Sequence, residues 1–289
     1  MSRVYEALRQ MEKDQGQTAT SSFPQPATPL ADSPVAPTEL EGITSVEARG
    51  AESSRLVALW GPRSLGGEKF RALVTRLENL RRKREMKSLQ ITSGSINEGK
   101  TLVAANLAVT FAKHNRSKVL LLEGDLHRPT LTTVFGFNDL AGIDHWWSDR
   151  SSRIEQFIYR LKETSLFFLG AGTAQEHASD VIQSTRFADA FNQLTSWFDW
   201  IIVDSTPMLP VADANLWSRL VDGTLLVVRK GVSSVKALQQ GLESLDNLKL
   251  VGTVLNEASE SGRTGSAYHY YSGESKTDQK LKKNSEAAS

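Results

Sequence analysis

The sequence predicts an α/β fold in which helices cover both faces of a doubly wound, mostly parallel β-sheet. Strand-like and helix-like segments alternate between residues 56 and 257, and this alternation is typical of βαβ units. Several strand segments are apolar throughout, as in VLLL, WIIV and TLLVV, which suits strands buried on both faces of a parallel sheet. Glycine, lysine and acidic residues follow several of these strands. The ligand site of a doubly wound sheet lies at the carboxyl ends of its strands.

The alternation begins with a helix predicted at about residues 66–85, whose apolar side chains fall on one face. The strands that follow are predicted at residues 88–92, 118–123, 165–169, 199–204, 223–229 and 249–255. The helices between them are predicted at residues 101–113, 180–197, 212–219 and 233–246. We expect these segments to form one domain, residues 56–257, which is an ordinary size for a single core.

Three further segments flank this domain. Residues 1–14 have the apolar spacing of a short amphipathic helix, and residues 15–55 are rich in Pro, Ser and Thr and are predicted to form a linker. Residues 258–289 are predicted to form a flexible tail that offers no apolar core. The tail contains three of the five tyrosines of the chain, Tyr268, Tyr270 and Tyr271. Since the tail offers no apolar core to bury them, a sticky surface patch is one interpretation of this cluster.

Composition excludes several function classes. The 34 basic residues balance 33 acidic residues, so no overall field attracts nucleic acid, and no nucleic-acid partner is expected. The chain has no cysteine, which excludes disulfides, thiolate metal sites and cysteine nucleophiles and fits a reducing compartment. No apolar run approaches the roughly 18–20 residues that span a bilayer. We therefore expect a cytoplasmic protein.

A glycine-rich segment joins the predicted strand SLQIT to the predicted helix TLVAANLAVTFA. It fits the pattern G-x-x-x-x-G-K-S/T and consists of Gly94, Ser95, Ile96, Asn97, Glu98, Gly99, Lys100 and Thr101. In this pattern backbone N–H groups surround the phosphates, Lys100 reaches the β- and γ-phosphate oxygens, and the Thr101 hydroxyl binds Mg²⁺. The sequence therefore predicts a P-loop that binds ATP and Mg²⁺.

Acidic residues end two further predicted strands. The segment WIIVD ends at Asp204, as expected for a Walker B aspartate that holds Mg²⁺ through water. The segment VLLLEGD carries Glu123 and Asp125 at its end. Because alternate side chains of an extended segment share a face, we expect these two carboxylates to converge on one point.

Together, these elements resemble the bacterial tyrosine kinases of capsule and exopolysaccharide synthesis, which are relatives of the partitioning and septum-site ATPases. The resemblance covers about residues 64–272 and includes the segments EKFRAL, ASDVIQSTRF, DSTPMLPVADA and VGTVLNEA. Ser95 stands where the partitioning ATPases carry an additional lysine, which argues against a close partitioning relative.

The resemblance implies roles for the residues of the predicted site. It implies that Lys100 and Thr101 bind the phosphates and Mg²⁺ and that Asp204 is the Walker B acid. Asp125, together with Glu123, is implied to position Mg²⁺ or to activate the attacking hydroxyl. These residues are therefore our candidates for catalysis and metal binding.

The resemblance also bears on the ends of the chain. Asn256 is implied to contact the nucleotide base, with a turn-forming role as the alternative. Tyr268, Tyr270 and Tyr271 are implied to be autophosphorylation sites presented to a neighbouring subunit, so a homo-oligomer is expected. A separate membrane protein that determines polysaccharide chain length is implied to activate the kinase and to recruit it to the inner face of the membrane.

Three positions depart from the family pattern. Glu123 stands where aspartate is usual, and His127 stands where arginine is usual. The oligomer-forming pattern E-x-x-R-x-x-R lacks its last arginine, because Val74 follows Glu68 and Arg71 at that spacing. These changes should affect nucleotide binding less than phosphotransfer, since small displacements of a catalytic group have large effects on rate.

Three functions fit this sequence. The first is an ATP-dependent protein tyrosine autokinase that regulates polysaccharide polymerisation and export. The second is a nucleotide-switched interaction module of the same machinery that transfers little or no phosphate to tyrosine, which the departures at Glu123 and His127 favour. The third, a kinase of small molecules, is the least favoured because the sequence has no obvious substrate-binding insert.

Overall fold

The computed structural model describes residues 40, 42–49, 55–114, 117–137, 140–174, 177–209, 212–244 and 249–257. The helix predicted at residues 1–14, most of the linker and the tail with its three tyrosines lie outside the described residues. The predictions for those segments therefore stay predictions.

One eight-stranded sheet organises the described residues. Its strands are Ser45–Val46 (β1), Ser88–Ser93 (β2), Val119–Glu123 (β3), Ile158–Leu161 (β4), Leu166–Leu169 (β5), Trp200–Asp204 (β6), Gly223–Arg229 (β7) and Leu250–Asn256 (β8). They lie in the order β1-β4-β5-β3-β6-β2-β7-β8. Only β4 and β5 pair antiparallel, because the short connection at residues 162–165 reverses the chain. The α/β fold with a mostly parallel sheet is confirmed.

Nine described α-helices connect or flank these strands: Val57–Trp60 (α1), Leu65–Arg81 (α2), Lys100–His114 (α3), Leu131–Phe135 (α4), Ile143–Ser148 (α5), Ala178–Gln183 (α6), Thr185–Trp197 (α7), Asp213–Leu220 (α8) and Val235–Ser244 (α9). None of the helices in the described ranges combines the length and apolar character needed to cross a membrane.

The single helix predicted at residues 180–197 is wrong in one respect, since the structure has two helices there. Ser184 separates α6 from α7 with an extended backbone, ψ 144°. Its hydroxyl accepts a hydrogen bond from Phe187 N. This N-cap satisfies one of the free N–H groups at the start of α7. The apolar spacing of the sequence continues through Ser184, and for this reason it did not predict where the first helix ends.

The two faces of the sheet are buried against different helices. Along β3, Val119 and Leu121 belong to the core cluster that contains α1, α2 and α3, whereas Leu120 and Leu122 pack with α6, α7 and α8. All five residues of β3 and all five of β6 are buried. The doubly wound arrangement follows from this alternation. It leaves the carboxyl ends of β2, β3 and β6 side by side in the middle of the sheet.

Candidate active site

The P-loop joins β2 to α3, as predicted. Asn97 and Gly99 have φ angles of 62° and 95°, and these left-handed residues turn the backbone toward the amino end of the helix. A Cβ atom at Gly99 would lie 2.2 Å from Asn256 Nδ2. Both the backbone angle and the close contact therefore require glycine at this position.

The amino end of α3 opens into a cavity of about 440 Å³, a volume in the range of small-molecule sites. The predicted site residues that line it are Ile96, Asn97, Gly99, Lys100, Thr101, Asp125 and Asn256. Residues that sequence reasoning did not assign to the site also line it: Arg55, Leu102, Arg128, Thr130, Pro207, Arg229 and Glu257. The cavity thus brings together segments from both ends of the domain.

Glu98 shapes the P-loop from behind and does not line this cavity. Its side chain is buried, and Oε2 accepts hydrogen bonds from Gly94 N at 2.9 Å and Ser95 N at 3.3 Å. Oε1 accepts a hydrogen bond from the hydroxyl of Ser233, in the loop that follows β7. Gly94, Ser95 and Glu98 therefore hold the loop in its curved form, and the later P-loop residues face the cavity.

Lys100 lies between the two acids that end β3 and β6. Its Nζ is 3.0 Å from Asp125 Oδ2 and 4.0 Å from Asp204 Oδ1. Burial by itself would lower the pKa of Lys100, but the charges of Asp204 and Asp125 raise it above its ordinary value. The lysine is therefore held in its charged form, as phosphate binding requires.

Asp204 is fully buried, and neither of its oxygens accepts a hydrogen bond of normal geometry within the described residues. Burial raises its pKa to about 6, although the charge of Lys100 and the Thr101 hydroxyl oppose this rise. A buried carboxylate without hydrogen-bond donors is costly. A cation that bound beside it would remove this cost.

This arrangement fits Mg²⁺. The Thr101 and Thr130 hydroxyl oxygens lie 3.4 Å apart, and Asp125 and Asp204 contribute carboxylates beside them. Within the described ranges no three His, Cys, Asp or Glu side chains form a cage for a metal ion. Mg²⁺ needs no such cage, because it keeps several waters and usually takes one or two carboxylates together with phosphate oxygens.

Glu123 ends β3 and does not line the cavity, whereas Asp125 does. The convergence of the two carboxylates that strand alternation predicts stays a prediction. Its Oε1 accepts a hydrogen bond from Leu131 N at 2.6 Å, and its Oε2 accepts one from Ala171 N at 3.1 Å. Burial raises the pKa of Glu123 to about 7, although the N–H groups of Ala171 and Leu131 oppose the rise. Since its oxygens are engaged beside the cavity and not in it, Glu123 ties the loop after β3 to the loop after β5.

A second link in this region involves residues that the sequence did not assign to the site. His127 Nε2 lies 2.9 Å from Asp213 Oδ2 at the start of α8, and the Ser179 hydroxyl of α6 donates to Asp213 Oδ1 at 2.5 Å. The histidine at the family's arginine position therefore faces α8. The cavity is lined instead by the next residue, Arg128.

The outer part of the cavity is a network of charged residues. Glu257 Oε1 is 3.2 Å from Arg55 NH1, and Glu257 Oε2 is 2.7 Å from Arg229 NH2. Arg229 also donates to Asn97 O at 3.1 Å. Asn256 donates its Nδ2 to Glu98 O at 3.0 Å, so its side chain supports the P-loop while lining the cavity. The base contact expected of Asn256 stays a prediction.

Known proteins resemble this chain over most of its length, although no protein-family model matches it. Tyrosine-protein kinase YwqD of Bacillus subtilis (strain 168) is 33% identical over 226 residues, which are 77% of this chain and 94% of that protein. CapB of Staphylococcus aureus is 32% identical over 216 residues, 74% of this chain and 92% of CapB. The solved kinase domain of Escherichia coli tyrosine kinase ETK superposes with a TM-score of 0.64 at 25% identity, covering 72% of this chain and 83% of that domain. The likeness therefore extends far beyond the P-loop.

Proposed function

Since the chain belongs to the bacterial tyrosine-protein kinases, we propose that it transfers the γ-phosphate of ATP to tyrosine residues of another copy of itself. The observation that carries this proposal is the group formed by Lys100, Thr101 and Asp125, which line one cavity, together with the buried Asp204, which lies 4.0 Å from Lys100 Nζ. Such a group has the parts that phosphoryl transfer needs: a lysine for the phosphates, a hydroxyl and a carboxylate for a metal, and a second carboxylate, that of Asp125, on the cavity wall.

Each residue of this group has a separate role in the proposed transfer. Lys100 and the amino end of α3 bind the phosphates, while Thr101 and Asp204 hold Mg²⁺, which supplies positive charge when bound. The acceptor oxygen bonds to the γ-phosphorus as the bond to the β–γ bridging oxygen breaks, and ADP leaves with that electron pair. Asp125 accepts the acceptor's proton, because its neighbour Glu123 is engaged by backbone N–H groups.

The acceptors that we propose are Tyr268, Tyr270 and Tyr271. Their segment follows β8, whose last residue, Asn256, lines the cavity. About twelve residues separate Asn256 from Tyr268 and span at most about 40 Å when extended, which is enough to reach a neighbouring copy. A homo-oligomer, a membrane activator of the capsule and exopolysaccharide type, and recruitment to the inner face of the membrane complete the proposal by analogy with the family.

One observation favours the second candidate, a nucleotide-switched interaction module with little tyrosine phosphorylation. The carboxylate of Glu123, at the first acidic position of the family pattern, is buried and used by two backbone N–H groups. This leaves one acid for proton transfer. Nucleotide binding would be intact in such a protein, and only the transfer to tyrosine would be slow.

Incubation of the purified full-length chain with γ-labelled ATP and Mg²⁺ separates the two functions. We expect phosphotyrosine in the wild type, none in Lys100→Met, and none in the triple variant Tyr268→Phe, Tyr270→Phe, Tyr271→Phe. The single variant Tyr159→Phe is the matched control, because Tyr159 lies in β4, away from the cavity. Formation of ADP without any label on the protein would refute the kinase and favour the switch.

A further inference from the structure

Four cationic residues line the nucleotide cavity: Arg55, Lys100, Arg128 and Arg229. Three of them have carboxylate partners, since Lys100 pairs with Asp125, and both Arg55 and Arg229 pair with Glu257. The guanidinium of Arg128 has no hydrogen bond or ion pair within the part of the chain that the structure describes. Arg128 is therefore the lining cation that can bind a new anion without giving up an existing partner.

The loop after β3 holds Arg128 on the cavity side. Asp125 Oδ1 accepts a hydrogen bond from Arg128 N at 3.1 Å, and Pro129 restricts the backbone on the other side. The preceding residue, His127, is directed to Asp213. The same carboxylate that contacts Lys100 Nζ therefore also fixes the backbone of Arg128.

The charges of the site leave a role for this arginine. Beside the phosphates, Lys100 faces two carboxylates, Asp125 and Asp204. The lysine therefore cannot neutralise a polyphosphate by itself. During transfer, negative charge spreads over the oxygens of the moving phosphoryl group. A planar guanidinium can bind two such oxygens at once, which an ammonium group cannot do with the same geometry.

We propose that Arg128 binds the transferring phosphoryl group and contributes to the transition state more than to nucleotide binding. The proposal rests on the proposed function, because it assumes transfer of the γ-phosphate from ATP at this cavity. Arg128 is in this sense a catalytic residue supplied by the same chain, at the position next to the one where the family usually has arginine.

Binding of a transition-state mimic tests this role without requiring tyrosine transfer. The probes are ADP with Mg²⁺, and ADP with Mg²⁺ and aluminium fluoride, whose planar group imitates the moving phosphoryl group. We expect Arg128→Ala to weaken binding of the fluoride complex by about 10²-fold and to leave binding of ADP with Mg²⁺ unchanged. Equal loss for both probes would assign Arg128 to ordinary phosphate binding, and no loss for either would remove it from the site. Either result overturns the proposal.

Two further variants make this test specific. Arg219→Ala is the matched control, because Arg219 is an exposed arginine of α8 that does not line the cavity, and it should match wild type with both probes. Arg128→Lys should recover part of the lost affinity for the fluoride complex, since it restores the charge without the planar fork. The labelling experiment reports separately on the kinase: absence of phosphotyrosine in wild type refutes the proposed function, while the fluoride result still decides the role of Arg128.

Discussion

The inner wall and the outer rim of the cavity use charged residues in opposite ways. We use the term inner wall for the lining residues Lys100 and Asp125 together with the buried Asp204 next to them. There two carboxylates share one lysine, and the carboxylate of Asp204 lacks normal hydrogen bonds within the described residues. On the rim, formed by Arg55, Arg229 and Glu257, each guanidinium is matched to an oxygen of the one carboxylate. The inner wall is thus incomplete without a ligand, whereas the rim is complete by itself.

The difference between the two regions determines where a bound nucleotide can gain binding energy. A buried carboxylate that lacks normal hydrogen bonds and shares its lysine with a second carboxylate lowers the stability of the empty protein. A ligand that supplies a further partner recovers that stability as affinity. Paired charges at an exposed rim offer little in either direction, because solvent screens them. Changes on the inner wall should therefore affect rate and stability strongly, and changes on the rim only weakly.

The largest expected effect is that of Lys100→Met on the inner wall. We expect the rate of ADP formation from saturating ATP and Mg²⁺ to fall by about 10²–10³-fold, because the charge beside the phosphates is lost. Lys236→Met, an exposed lysine of α9 outside the cavity, should retain the wild-type rate. If Lys100→Met also retained that rate, the inner wall would not be the site of chemistry.

Glu123 supports the residues of the inner wall without lining the cavity. We therefore expect its removal to lower the stability of the protein. The substitution Glu123→Ala would leave the buried N–H groups of Leu131 and Ala171 without an acceptor. We expect the free energy of unfolding, measured with urea, to fall by about 2–6 kcal/mol, at roughly 1–3 kcal/mol for each of the two unsatisfied groups. Glu123→Gln keeps one acceptor oxygen and should lose less.

The matched control for Glu123 is Glu85→Ala, since Glu85 is exposed in the turn after α2 and should change stability little. An unchanged stability of Glu123→Ala combined with a large loss of rate would contradict the supporting role. It would return Glu123 to the catalytic role implied by the family pattern.

Asp204→Asn tests whether the inner wall is destabilising when empty. Because burial raises the pKa of Asp204 to about 6, the ionised form is disfavoured in the fold, and an amide of the same shape removes the charge. Without nucleotide we expect the free energy of unfolding to increase by about 1–2 kcal/mol. Binding of ATP with Mg²⁺ should weaken at the same time.

Asp199→Asn gives the opposite sign and serves as the control. Asp199 Oδ2 accepts a hydrogen bond from Lys118 N at 2.8 Å. The amide keeps an acceptor oxygen but lacks the charge that strengthens this bond, so this variant should lose about 1 kcal/mol of stability. A loss of stability in Asp204→Asn as well would mean that the carboxylate of Asp204 is already satisfied in the empty protein.

Sequence reasoning located the central features of the fold and of the inner wall, because these depend on local patterns. The P-loop lies between its strand and its helix, Asp204 is the last residue of a buried strand, and Asp125 lies two residues after another. Strand periodicity predicts such positions directly. The short elements between residues 124 and 164, including α4, α5 and β4, have too few residues to show a period.

The contacts of individual side chains could not be predicted in the same way. Glu123 binds Ala171, 48 positions away, and Arg55 reaches Glu257 across 202 positions. Alternation along a strand gives the face on which a side chain starts, but the loops that meet this face decide where its oxygens bond. The backbone partners of Glu123 could not be predicted for this reason.

The smallest expected effect lies on the rim. Glu257→Gln removes the carboxylate that Arg55 and Arg229 share, and because these pairs are exposed we expect a stability change below about 1 kcal/mol. Both guanidiniums then face the cavity without a carboxylate partner. Affinity for ATP with Mg²⁺, measured by calorimetry at low salt, should rise about two- to fivefold and return to the wild-type value at high salt.

The control for Glu257 is Glu163→Gln, since Glu163 is exposed in the turn before β5, and this variant should change neither the stability nor the affinity. A loss of nucleotide affinity in Glu257→Gln would show that the carboxylate itself contacts the nucleotide, and the rim would then be part of the site in the same sense as the inner wall.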